Sequence, residues 1–457
     1  MSTLSQFLPQ GDSFVGEFIP GITGAWGLNP SFGTREYLQS GNTKTYSANY
    51  ATLALNFPAL AANSPVASTV SSWNADYLMY SDRVFSLGGN VHRIPIGFSS
   101  NGSTPLQLAA WGTNTASAAT TQTLYGDNGA NPPFISGAVL FNGAIIVIGG
   151  GVLSPWGYPA RTIWRSTGTT YSSVFSVPTT QPYALAASPT LCVAIGLDDT
   201  NSAGTLLTST NGTSWTSSQP FTNFGSNVRR FFYSQAAGCF VILNQSGQIW
   251  TSTDCLTWTA RTAPSGMVNP GGTGYGSLND YRQTMQYNNY AGTSSETLCV
   301  LAQDNTSGLN TKLLKVTAGP TFSIVNLSNS PSIAGLITTT ASTANLPLLT
   351  HDGTRYVMVR VSSNYAAYSN DGGNTWLLDH SKLQTDNTSF PNVGSINAAG
   401  GNLYVSFLSN GTTISANMVG ARMFDFGTRY ALQTPQLVGT SVSGSFGTNT
   451  SAYVRIK

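Results

Sequence analysis

The amino-acid sequence predicts an all-β fold built from repeated four-stranded units. Three observations carry that prediction: the composition, a recurrent turn motif, and a second series of tight turns in phase with it. Of 457 residues only 8% are charged, while 40% are hydrophobic, 11% are aromatic and 48 are Gly. A chain this poor in charge and rich in Ser, Thr, Asn and Gly favours turn-linked strands over helices. The length exceeds one small domain and suits a single large β unit. Lys+Arg 19 nearly balances Asp+Glu 17, which excludes a basic nucleic-acid binder, an acidic tail and a charge-solvated disordered chain.

The turn motif recurs four times. Ser209, Asn211, Gly212 and Trp215 stand in the same order as Ser252, Asp254, Cys255 and Trp258, with the serines 43 residues apart. A worn copy, Ser166, Gly168 and Tyr171, lies another 43 residues upstream. The fullest copy is Ser369, Asp371, Gly373, Thr375 and Trp376. The physics is that of a hairpin turn: an Asp or Asn side chain accepts backbone N–H groups, Gly supplies a positive φ, and an aromatic opens the next strand. These segments resemble the Asp-box (BNR) motif, Ser-x-Asp-x-Gly-x-Thr-Trp. Asn211 and Cys255 depart from it, and the copies at Ser209 and Ser252 are one residue shorter.

The second series joins short apolar strands by tight turns at Asp82-Arg83, Asn142-Gly143, Pro189-Thr190, Ala237-Gly238, Ser295-Glu296, Asp352-Gly353 and Gly400-Gly401, spaced 47–60 residues apart. Four strands per repeat, about seven times over, predict a β-propeller with blades from about residue 76 to about 432. The expected organisation is an N-terminal arm or docking segment over 1–45, a propeller region over 46–432, and a C-terminal strand segment over 433–457. The arm is too apolar for a solvated linker. It is expected to pack on the propeller or on a partner, and the C-terminal strands to complete a blade or join a neighbouring subunit's sheet.

Cys192, Cys239 and Cys299 each sit in an apolar run and are expected to be buried thiols. Neither CxxC nor a Cys/His spacing occurs, so neither a metal nor a cofactor is expected. The first residues lack a basic region followed by an apolar one, so no export signal is expected, and the apolar stretch from Ala138 to Leu153 reads as a hairpin and not a membrane span.

Asp boxes also occur in sialidases, and His92-Arg93-Ile94-Pro95 is similar to that family's first-arginine motif, with His92 at the aromatic position. That resemblance implies an arginine triad, to which Arg355, Arg422 and Arg429 could add, with Tyr430 as a nucleophile. The chain holds three glutamates, Glu17, Glu36 and Glu296, and no Tyr-Glu arrangement like the family's. A non-enzyme is therefore expected, with a glycan hydrolase centred on Arg93 as the alternative. Asp198-Asp199 reads as a solvated turn pair. Trp111 and Trp156 fall outside the box pattern and, with Tyr275 in the long segment 262–295, are the candidates for stacking on a sugar.

The low-charge, Ser/Thr/Gly/Asn-rich texture and the opening Thr3-Leu4-Ser5-Gln6-Phe7-Leu8-Pro9 resemble structural proteins of tailed-phage virions. That resemblance implies a tail, fibre or appendage component assembled in the host cytoplasm. Its implied partners are other virion proteins bound through 1–45 or 433–457, a cell-surface glycan, or further copies of itself. A bacterial assembly or adhesion module is a third alternative.

Overall fold

The computed structural model describes residues 77–99, 106–112, 120–125, 134–150, 161–177, 180–198, 204–221, 228–244, 247–265, 267, 290–301, 312–327, 347–359, 366–378, 392–399, 402–408 and 418–425, together with 18–23, 31–32, 35–39, 43–45, 431–433 and 450–455. The chain forms two compact units. One comprises Met1–Val66, Asp379–Ser381 and Asp425–Lys457, and the other Ala67–Leu378 and Lys382–Phe424.

The smaller unit contains β1 (Phe18–Thr23), β2 (Ser31–Phe32), β3 (Arg35–Gln39) and β4 (Thr43–Thr45). The larger unit continues with seven blades. Blade 1 is β5 (Tyr77–Leu87), β6 (Asn90–Ser99), β7 (Leu106–Gly112) and β8 (Thr120–Tyr125). Blade 2 is β9 (Phe134–Phe141), β10 (Ala144–Gly150), β11 (Arg161–Ser166) and β12 (Ser172–Val177). Blade 3 is β13 (Thr180–Ala187), β14 (Cys192–Asp198), β15 (Gly204–Ser209) and β16 (Thr216–Phe221). Blade 4 is β17 (Val228–Ser234), β18 (Cys239–Asn244), β19 (Ile249–Ser252) and β20 (Thr259–Arg261). Blade 5 is β21 (Tyr290–Gly292), β22 (Glu296–Leu301), β23 (Lys312–Thr317) and β24 (Thr321–Asn326). Blade 6 is β25 (Leu348–His351), β26 (Tyr356–Val359), β27 (Ala366–Ser369) and β28 (Leu377–Leu378). Blade 7 has three described strands, β29 (Asn392–Ala399), β30 (Asn402–Leu408) and β31 (Met418–Asp425). The smaller unit resumes with β32 (Ala431–Gln433) and β33 (Thr450–Arg455).

Within each blade the strands are hydrogen-bonded in chain order and antiparallel. First strands of successive blades lie side by side, β9 with β13, β13 with β17, β21 with β25 and β25 with β29. The far end of β6 pairs with β9, joining blades 1 and 2. The seam between blades 4 and 5 is a core of Phe232, Val241, Cys299 and Leu314. β29 lies against β5, which closes the ring. The molecule is thus an all-β protein whose larger unit is a β-propeller.

Burial explains the composition. Second strands are enclosed on both faces: every residue of Cys239–Asn244 and of Tyr356–Val359 is buried. Such strands read as continuous apolar runs. The outermost strand β20 is mostly exposed and is written in Thr, Ala and Arg. All four cysteines are free and buried thiols, as expected for the three in apolar runs. Burial raises the Cys239 and Cys299 thiols to about 11, so they are inert as nucleophiles.

The structure differs from the sequence expectation in blade 1. Asp82-Arg83 is no turn: it lies inside β5, which turns back at Gly88-Gly89. The polar Ser81-Asp82-Arg83 instead follows a register shift between Met79 and Ser81, a bulge that mimics turn chemistry in sequence. A turn at Asp82-Arg83 would put Arg93 on the third strand of blade 1, and without it Arg93 belongs to the second. The terminal segments pair with each other. β33 lies between β1 and β3 in one sheet, and β4 pairs with β32.

Candidate functional site

Each turn motif closes the third and fourth strands of its blade, and its serine hydroxyl is the hub. In blade 6, Ser369 Oγ donates to Asp371 Oδ1 at 2.8 Å and accepts the buried Gly373 N–H at 2.9 Å. The Asp371 carboxylate then accepts Thr375 N–H at 2.9 Å and Thr375 Oγ1 at 2.6 Å. Burial pushes this carboxyl up, but those donors outweigh it and hold it below the ordinary carboxylate value. In blade 4, Ser252 Oγ donates to Asp254 Oδ1 at 2.9 Å and accepts Cys255 N–H at 2.8 Å. Backbone donors from Thr257 and Leu256 hold Asp254 low. In blade 3, Asn211 Oδ1 accepts from Thr213 and Ser214 N–H at 2.9 and 2.8 Å, so an amide oxygen performs the same task. The worn copy in blade 2 keeps only the hub, with Ser166 Oγ donating to Gly168 O at 2.7 Å.

What the sequence did not disclose is the direction in which these turns point. Each packs on the blade before its own. Tyr171 of blade 2 shares a 3.0 Å hydrogen bond with His92 Nδ1 of blade 1. Thr210 O of blade 3 accepts from Asn142 Nδ2 of blade 2 at 3.1 Å. Cys255 of blade 4 lies in a core with Ala184, Val193 and Leu206 of blade 3. Gly372 of blade 6 lies against the Glu296 carboxylate of blade 5. The tryptophans follow the same rule: Trp215 packs with Ile146 and Ile163, and Trp376 with Leu298 and Leu313. Trp376 and Trp258 also donate their indole N–H back into their own turns, to Gly373 O at 2.8 Å and Cys255 O at 3.3 Å.

Two left-handed positions matter here. A Cβ at Gly212 would meet Ile146 Cδ1 at 2.9 Å, and one at Gly373 would meet Leu298 Cδ1 at 2.7 Å. Cys255 takes the same conformation, φ 59°, with a side chain that drops into the preceding blade's core.

The residues with potential for chemistry are placed as follows. Arg93 is 1% exposed in mid-strand, opposite Val84 on β5 and Ala109 on β7. His92 faces blade 2, so strand alternation turns Arg93 to the opposite face, the one towards blade 7. Glu296 opens β22 and is committed to Lys315 at 3.2 Å, while Tyr356 donates to its backbone oxygen at 3.3 Å. Arg355 pairs with Asp352 at 3.0 Å and lies 3.9 Å over the Tyr368 ring. Thus two of the groups that the sialidase resemblance and its glutamate count bring into view, Arg355 and Glu296, are held in separate pairs. Trp111 is on β7 opposite Val91. Trp156, Tyr275, Arg429 and Tyr430 lie outside the described residues. Among the described residues no group of three or more His, Cys, Asp or Glu is placed to hold a metal, and no helix is long and apolar enough to cross a membrane.

No protein-family model matches the chain, and no curated protein does. Among solved structures it is similar to YCF48 from Cyanidioschyzon merolae, with 12% identity, 78% of this chain and 99% of that one covered, and a TM-score of 0.42. It is likewise similar to the GH93 alpha-L-arabinofuranosidase of Fusarium graminearum, with 11% identity, 80% and 99% coverage and a TM-score of 0.43. Trypanosoma rangeli sialidase gives 8% identity, 66% and 54% coverage and a TM-score of 0.41. At such scores the likeness carries no argument about activity. The propeller assignment rests on the strand order and ring closure of this chain.

Proposed function

We propose that the protein is a structural component of a tailed-phage virion, a tail, fibre or surface appendage protein, in which the propeller is a rigid platform for assembly or for binding host glycans. The observation that carries this reading is where the polar chemistry of the described propeller goes. Ser, Asp and Asn side chains of the motifs cap turns, and Glu296, His92 and Tyr171 join one blade to the next. Groups spent in this way stabilise a platform and leave little to act on a substrate. The pairing of β33 with both β1 and β3 supports attachment through one terminal module instead of two independent tails. The low charge and turn-rich texture suit a protein that works outside a cell.

The test is electron microscopy of native particles, combined with antibody labelling against the propeller. Label on the tail or an appendage is the expected outcome, and absence of the protein from purified particles overturns the proposal. A sialoside-cleavage assay on the full-length protein distinguishes the hydrolase alternative. Turnover that Arg93→Ala abolishes without loss of folding would reverse the ranking.

A further inference from the structure

Two Asn-Gly pairs among the described residues, Asn142-Gly143 and Asn211-Gly212, meet across the seam between blades 2 and 3. Asparagine followed by glycine is chemically labile, because a glycine nitrogen unhindered by a Cβ reaches the preceding side-chain carbonyl carbon. The N–Cγ bond forms, the Cγ–Nδ2 bond breaks, and ammonia leaves with the proton of the attacking amide. Water then opens the resulting cyclic imide at either carbonyl, giving Asp or isoaspartate with no change of oxidation state.

The two pairs are held very differently. At Asn211 the nucleophile is engaged, since Gly212 N–H donates to Ser209 Oγ at 2.8 Å and Gly212 is buried. The electrophilic amide is held too, its Oδ1 accepting from Ser209 Oγ, Thr213 N and Ser214 N. At the tip of the β9–β10 hairpin, Asn142 and Gly143 are both exposed, and the Asn142 amide is tied by one bond, 3.1 Å from Nδ2 to Thr210 O. We infer that Asn142 is a spontaneous deamidation site of the folded protein, and that the Asp-box turn protects Asn211 from the same reaction. The consequences also differ. A carboxylate at 211 keeps the acceptor that Asp254 and Asp371 supply in their turns. A carboxylate at 142 removes the donor and sets an anion against the Thr210 carbonyl, breaking a blade-to-blade contact.

The experiment incubates the full-length folded protein at mildly alkaline pH in heavy-oxygen water, then maps peptides by mass spectrometry, with urea-unfolded chain alongside. In the folded protein Asn142 is expected to convert about tenfold faster than Asn211 or more, the factor that one hydrogen bond imposes on a local opening. In the unfolded chain the two rates should converge. Ser209→Ala should raise the rate at Asn211 and leave Asn142 unmoved. Equal rates in the folded protein, or an Asn211 rate indifferent to Ser209→Ala in a folded variant, overturn the inference. Asn142→Asp, an exposed change that does not threaten folding and that reproduces the Asp product alone, should melt below the fresh protein. A midpoint equal to that of fresh protein overturns the predicted loss of the seam contact.

Discussion

The turn of blade 6 and the turn of blade 4 do one job with different residues. Both use a serine hydroxyl to hold a buried N–H three or four positions on, and both hang two later N–H or O–H donors on an aspartate. They part at the left-handed position, where blade 6 has Gly373 and blade 4 has Cys255. Gly373 sits hard against Leu298 of blade 5, whereas the Cys255 side chain has a place among Ala184, Val193 and Leu206 of blade 3. Glycine is therefore demanded by the neighbouring blade as much as by the turn. Where the neighbour leaves room, the motif tolerates a side chain and accepts the backbone strain.

The strongest way to break this comparison is Gly373→Val. It combines a strained positive φ with a clash against a packed core. It should cost about 3 kcal/mol or more, read as a shift in the denaturant midpoint with unchanged slope. The same size of loss at Cys255→Val, with room beside it, would show that the neighbour does not matter. Next in size, Ser369→Ala and Ser252→Ala each strand a buried N–H, that of Gly373 or of Cys255, and should each cost about 1–3 kcal/mol in the same assay.

Acid sharpens the comparison from another side. Burial lowers His92 and His351 below 6.5, the latter against the opposing pull of Asp352 and Glu296. The unfolded chain therefore takes up protons first as pH falls past 6.5. Stability should decline from there, by up to about 1.4 kcal/mol per histidine per pH unit until the folded histidine titrates. His92→Gln should flatten that limb. A second limb belongs to the turns. Asp254 and Asp371 lie below 3.8 when folded, so the stability they contribute is present above that pH and is lost as pH falls through their folded values. A melting midpoint constant from pH 7 to 5 would refute the histidine account. The smallest expected effect is Cys255→Gly, within about 1 kcal/mol of zero, because relief of the left-handed strain offsets the lost side-chain burial.

Much of this architecture was legible in the sequence, for a physical reason. A hairpin that needs a hub hydroxyl, an acceptor and a left-handed residue writes those needs at fixed spacing, so Ser209, Ser252 and Ser369 announced their blades. Buried second strands announced themselves as apolar runs. Polar residues that serve a bulge were less legible, and Asp82 imitated a turn for that reason. Contacts between blades left no signal, because His92 and Tyr171 are 79 positions apart and meet only once the sheets stack. The false turn at Asp82-Arg83 also displaced Arg93 by one strand, because a bulge that borrows turn residues shifts the count of every strand after it within the blade.

The backward reach of the turns gives the ring a sense of direction. Tyr171, Thr210, Cys255 and Gly372 each belong to a later blade and each complete an earlier one. A chain emerging from its amino end would therefore finish blades 1, 2, 3 and 5 only when the hairpin of the next blade has formed, so that a growing propeller carries an unsealed sheet at its newest edge at each of those stages. Among the described residues no further blade follows blade 7. Its cover is the oldest strand of the ring, β5, which must wait for β29 throughout synthesis.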